Sequence, residues 1–123
     1  MGEETLMRSR WAKRLNSDIP RWYNARMGKL PNEKFQNLYK VILGYADLVF
    51  IDNNHINIVE FKVRNFRGAI GQLLSYAKEV YNTVEFKPYH NLTVRLLLVT
   101  SKKDQATEEF AADHNINYEV LEV

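Results

Sequence analysis

Apolar positions recur along this chain with two different periods, and each period predicts an element. In EETLMRSRWAKRL, Leu6, Trp11 and Leu15 fall at roughly helical spacing, with Met7 and Arg14 beside them, which predicts an amphipathic helix. The following NSDIPRWYNARMGKLPNEK is interrupted by Pro20, Gly28 and Pro31 and reads as loop with some irregular helix. FQNLYKVILGYADLVFID and HINIVEFKV are rich in Val, Ile, Leu and aromatics and predict strands. FRGAIGQLLSYAKEVYN returns to helical spacing, with apolar residues at 70, 73, 74, 77 and 80. TVRLLLVTS has the continuous apolar character of a buried strand, DQATEEFAADHN predicts a short helix, and NYEVLEV a last strand. The order is α-β-β-α-β-α-β, with one more strand admitted before the long helix. That is an α/β domain with a central mixed sheet flanked by helices.

The polar positions inside the two central strands break this pattern. Asp47, Glu60 and Lys62 interrupt otherwise apolar runs, and charges are rarely left inside a sheet unless they are paired or bind something. A two-residue turn at Asn53 and Asn54 suits a hairpin, because Asn tolerates the positive backbone angles required. That turn pairs Asp52 with His55 and, counting back, places Asp47 opposite Glu60, with Lys62 beside them opposite Tyr45. Like charges facing each other across strands destabilise a sheet, so a divalent cation or a shared proton is expected to offset them.

Two carboxylates, with a backbone carbonyl, suit a hard ion such as Mg²⁺ or Mn²⁺ that keeps several waters. An ammonium beside such an ion fits phosphodiester chemistry, in which water attacks phosphorus and cations stabilise the phosphoryl oxygens. The bland alternative is a structural salt bridge in which Lys62 satisfies Glu60 or Asp47.

Composition narrows the setting. At 123 residues, residues 1–123 are expected to form a single domain with one core. The absence of cysteine excludes disulfides, thiolate metal sites and a Cys nucleophile. The start MGEETLMRSRW does not resemble a signal peptide and LLLV is too short to span a bilayer, so a cytoplasmic protein with no membrane partner is expected. Net charge is +2, but residues 1–40 hold nine Lys/Arg against four Asp/Glu. That asymmetry suits a face that meets a polyanion, and equally a solvated basic helix. The three histidines, at 55, 90 and 114, form no ligand spacing, and RGAIGQ lacks the Lys-Ser/Thr of a phosphate loop, so no nucleotide cofactor is expected.

Taken together, Gly44-x-x-Asp47, Glu60-x-Lys62 and Gln72-x-x-x-Tyr76 resemble the PD-(D/E)xK nuclease superfamily, whose restriction-endonuclease-like fold they imply. The Gln and Tyr one helical turn apart resemble its RecB-type motif. The series is most similar to the catalytic domain of the NucS mismatch and branched-DNA endonucleases, over about residues 41–123. The resemblance implies that Asp47 and Glu60 coordinate the metal with the carbonyl of Phe61, and that Lys62 positions or activates the attacking water. It also implies that Gln72 orients Lys62, the water or the substrate strand, with Tyr76 as a further site residue whose alternative is plain packing. An acidic residue on the first helix is expected to face the site, Glu4 first and Glu3 as the fallback. Ala46 stands where the superfamily's proline stands, and no separate DNA-binding domain is expected here, so mismatch specificity is not carried over.

DNA is therefore the expected partner, with a homodimer as the assembly common among small nucleases. Trp11, Trp22 and Tyr23 lie among Arg8, Arg10, Lys13, Arg14, Arg21 and Arg26, a mix that stacks bases and holds phosphates. Trp11 is expected in the core. PRWYNAR is the expected surface contact, with Arg21 and Arg26, and Arg64 and Arg67 are placed to touch phosphates flanking the cut. The expected function is a metal-dependent deoxyribonuclease acting on branched, flapped or single-stranded DNA. The rival is a non-cleaving DNA-binding or partner-binding protein with a nuclease fold.

Overall fold

The computed structural model of the protein describes residues 2–28 and 44–122. The chain opens with helix α1 (Glu3–Ala12), followed by strands β1 (Arg21–Arg26), β2 (Tyr45–Asp52) and β3 (His55–Lys62). Helix α2 (Phe66–Glu79) leads through two short 3₁₀ segments to β4 (Thr93–Thr100), and α3 (Gln105–Asp113) leads to β5 (Ile116–Val120). The five strands make one sheet in the order β1-β2-β3-β4-β5, antiparallel from β1 to β3 and parallel from β3 to β5. This is the expected mixed sheet flanked by helices.

Local chemistry explains the hairpin. Asn53 and Asn54 have φ of 54° and 63°, the left-handed values that a tight two-residue turn needs and that Asn adopts at small steric cost. The register is the expected one, from Asp52↔His55 back to Leu48↔Val59.

The helices are distributed by the handedness of the connections. Both parallel crossovers step the same way across the sheet, so right-handed links place α2 and α3 on one face. Ala69, Ile70 and Leu73 of α2 and Ala111 of α3 accordingly share a buried cluster with Ile56, Ile58 and Leu98. On the opposite face α1 packs Met7 and Trp11 onto Leu48, Phe50, Val59, Phe61 and Val99. Strand β3 is therefore covered on both faces, with Ile56 and Ile58 in the α2 cluster and Val59 and Phe61 in the α1 cluster.

Trp11 is core, as expected. Its ring lies 5.6 Å from Phe50 and 6.1 Å from Phe61, and its Nε1 donates to Glu119 Oε2 at 2.8 Å, tying α1 to β5.

Three expectations change. Residues 21–26 form an edge strand rather than loop, because pairing with β2 from Arg21↔Phe50 to Arg26↔Tyr45 extends them, a long-range effect that the neighbouring prolines hid. Trp22 is packed rather than surface, its ring 4.9 Å from Phe86 and 6.0 Å from Tyr89, edge-on to both. On α1, Met7 is fully buried and Leu6 is exposed, so the buried stripe runs one residue later than Leu6 suggested. The part of the expected strand at 35–43 lies outside the described residues. Among the described residues, no helix is long and apolar enough to cross a membrane.

Candidate active site

The β2–β3 ladder stops at Leu48↔Val59, and side chains continue it. The backbone N–H of Asp47 donates to Glu60 Oε1 at 2.9 Å, and the N–H of Phe61 donates to Asp47 Oδ2 at 2.9 Å. Two carboxylates thus stand in for two backbone acceptors and are locked to each other's strands. Strand β1 is irregular at the same level. Asn24 falls at the register position opposite Asp47, between Tyr23↔Leu48 and Ala25↔Ala46, and has a left-handed φ of 50°. Simple alternation fails there: Trp22 and Ala25, three apart, both pack on the α2 side, as do Ala46 and Val49 of β2.

Burial makes this pair electrostatically strained. Glu60 is 4% exposed, and its pKa is pushed up to about 8, first by burial and then by the charge of Asp47. Asp47 is also held above its usual range, mainly by burial. The Phe61 N–H and the charges of Arg8 and Lys62 pull it down, whereas Glu4 pushes it up. Both groups would be relieved by a proton or by a cation.

Lys62 does not give that relief as an ion pair. Among the described residues the ion pairs are Arg14–Glu119 and Lys103–Glu108, so the salt-bridge explanation of Glu60-x-Lys62 is not what the structure shows. Lys62 is half-buried at the end of β3, its carbonyl accepting from the Ser101 N–H at 3.1 Å.

The donor set fits a hard divalent ion that retains water. Asp47 Oδ1 and Glu60 Oε2 have no hydrogen-bond partner among the described residues. No group of three or more His, Cys, Asp or Glu side chains able to hold a metal stands together among those residues. Any ion here would therefore rely on two carboxylates, a backbone carbonyl and solvent, the coordination Mg²⁺ accepts.

Other expected site residues take distinct positions. Glu4 is half-buried and its Oε2 accepts from the Val63 N–H at 3.2 Å, which brings α1 to the end of β3. Glu3 is exposed and lies by Ser101, Lys102 and Glu122 instead. Tyr76 is buried and its hydroxyl donates to the Tyr45 carbonyl at 3.0 Å. Burial and the nearby Glu60 and Asp47 charges hold its pKa well above normal, so the phenol stays protonated. Gly44 leads into this strand with φ of +72°, and a Cβ there would lie 3.2 Å from the Tyr76 hydroxyl. Tyr76 therefore pins the start of the strand that carries Asp47. Gln72, one turn earlier on α2, is exposed and forms no hydrogen bond to the other site residues among those described.

The arginines divide likewise. Arg21 donates from Nε to the Ile19 carbonyl at 3.2 Å and from Nη2 to the Asn16 carbonyl, so it braces the turn before β1. Arg26 is half-buried, while Arg64 and Arg67 are exposed at the entry to α2. Arg8 is an addition: its guanidinium sits 5.4 Å from the Tyr23 ring centroid and donates to Asn24 Oδ1 at 2.9 Å. The interleaving of Arg8 with Trp11, Trp22 and Tyr23 in the sequence pointed to this region without singling Arg8 out.

The chain thus has an α/β fold, a mixed five-stranded sheet flanked by helices, with a carboxylate pair across its antiparallel hairpin. A solved structure shares it: a repair endonuclease from Pyrococcus abyssi, with TM-score 0.58, 16% identity, and coverage of 99% of this chain and 48% of that chain. The chain thus spans about half the length of that endonuclease, and at this identity the likeness is one of fold. No protein-family model matches the chain, and no curated protein matches it.

Proposed function

We infer that the protein is a metal-dependent deoxyribonuclease of the PD-(D/E)xK type that hydrolyses phosphodiester bonds. The observation that carries this reading is the reciprocal lock of Asp47 and Glu60 across the hairpin, on a fold shared with a repair endonuclease. Two buried carboxylates side by side cost stability unless a proton or a cation offsets their charge, which favours a ligand site.

Asp47 and Glu60, with the Phe61 carbonyl, would hold Mg²⁺ or Mn²⁺. When bound, such an ion supplies positive charge to the phosphoryl oxygens and makes water more acidic. Lys62, in no ion pair among the described residues, is left to donate to the attacking water or to a phosphoryl oxygen. Glu4 reaches from α1 to the end of β3 and holds the chain just after Lys62 by accepting from the Val63 N–H. Tyr76 positions β2, and Gln72, Arg64 and Arg67 face solvent where a DNA strand would pass. Hydrolysis adds water across one P–O bond, leaving a phosphate on one product end and a hydroxyl on the other. Pairing of two copies, which would let one assembly cut two strands, belongs to the same proposal and is measured by sedimentation.

The test is a cleavage panel of labelled single-stranded, duplex, flapped, mismatched and four-way-junction DNA with Mg²⁺, Mn²⁺ or chelator. Metal-dependent cutting by the wild type, lost in Glu60→Ala and Lys62→Ala with folding intact, is the expected result. Unchanged cutting in those variants would sink it, and binding without cutting anywhere would assign the chain to a DNA- or partner-binding protein on this fold.

A further inference from the structure

Arg8, Tyr23 and Asn24 form a cluster beside the carboxylate pair that the hydrolytic roles leave unused. The left-handed Asn24 lies at the register level of Asp47, and it turns two successive β1 side chains toward α1. Tyr23 and Asn24 both meet Arg8, the first through its ring at 5.4 Å and the second through its amide oxygen at 2.9 Å. Its bond to Asn24 therefore puts the Arg8 guanidinium beside β1 at the level of Asp47. Yet it forms no ion pair among the described residues.

The guanidinium is fixed by a neutral amide and a ring, neither of which compensates its charge. The charge is left for an anion from outside, and a phosphate flanking one placed at Asp47 and Glu60 would be such an anion. Tyr23 is 46% exposed on the edge strand, with Arg8 over one side of its ring. An exposed tyrosine beside a fixed guanidinium offers a stacking surface for one base and a clamp for its phosphate. A base inside a continuous duplex is already stacked on both sides, whereas an unpaired base is free to stack on the ring.

We propose that Arg8 and Tyr23 form a subsite for one unpaired nucleotide next to the cut, with Tyr23 stacking on its base and Arg8 holding its phosphate. The place of the subsite rests on the deoxyribonuclease reading, but its test does not require cleavage. Fluorescence anisotropy with the full chain carrying Glu60→Gln, in chelator, would compare a labelled single-stranded oligodeoxynucleotide with the same strand in duplex, across a salt series.

The single strand should bind more tightly. Tyr23→Leu should weaken it about tenfold with little effect on duplex, while Tyr23→Phe, which keeps the ring, retains the preference. Arg8→Gln should reduce the salt slope by about 0.7, the contribution of one phosphate contact on a single strand, and Arg8→Lys should keep it. Equal binding of the two probes, an unchanged preference in Tyr23→Leu, or an unchanged salt slope in Arg8→Gln would each overturn the subsite. Absence of cleavage with these shifts present would remove the hydrolytic reading and leave the subsite standing. Cleavage with none of the shifts would do the reverse.

Discussion

Replacing Glu60 by Gln should stabilise the metal-free protein at alkaline pH while abolishing cleavage. In the fold Glu60 titrates at about 8 instead of its ordinary 4.5, chiefly because burial disfavours the carboxylate. A carboxyl whose folded pKa is raised binds more protons in the native than in the unfolded state between those two values. Its contribution is therefore fully present below about pH 4.5 and is lost as pH rises through 8. Each unit of difference is worth about 1.4 kcal/mol, so the loss by pH 8 is on the order of 4 kcal/mol. Gln keeps an oxygen to accept from the Asp47 N–H and carries no charge, so the variant escapes the loss. Urea unfolding followed by circular dichroism, in chelator at pH 5 and pH 8, measures it. The two proteins should be nearly equal at pH 5, and the variant should be more stable by a few kcal/mol at pH 8. Parallel curves over this range, or a variant less stable at pH 8, would refute the claim that Glu60 is a buried carboxyl under electrostatic strain.

Three further outcomes follow from the same geometry. Mg²⁺ or Mn²⁺ should raise the melting temperature of the wild type, by an amount that grows with concentration as binding linkage requires, and Asp47→Ala should remove the rise in a thermal shift assay. Tyr76→Phe should cost about 1 kcal/mol, the worth of its bond to the Tyr45 carbonyl, and lower the cleavage rate; unchanged chemical denaturation would contradict the pinning role. Gly44→Ala should be more damaging still, because a side chain is strained at φ +72° and its Cβ meets the Tyr76 hydroxyl at 3.2 Å. The strain alone is about 1 kcal/mol, readable as a lowered denaturant midpoint.

Much of the fold was legible because the relevant information is local. Two consecutive asparagines can take left-handed angles wherever they occur, so the turn at 53–54 set the hairpin register and put Asp47 across from Glu60. Helical spacing in FRGAIGQLLSYAKEVYN likewise exposed α2, whose buried face is Ala69, Ile70, Leu73 and Tyr76.

The edge strand was not legible, since RWYNAR between prolines becomes extended only by pairing with β2. The choice of Glu4 over Glu3 depends on a bond to Val63, 59 residues away, which no spacing encodes. The placement of Arg8 depends on Asn24 adopting a left-handed angle inside a strand, against the preference of its neighbours. Gln72 and Tyr76 share a helix turn, yet the packing of α2 on the sheet buries one and exposes the other.

The sequence by itself determined the alternation of strands and helices, the hairpin register and the facing carboxylates, because these follow from backbone preferences over a few residues. Only the tertiary structure decided which side chains close the ladder, that Arg8 meets Asn24 and Tyr23, and that Trp22 packs on Phe86 while Tyr23 meets solvent. Those outcomes are set by packing between segments far apart in the chain, where burial and long-range hydrogen bonds outweigh local propensity.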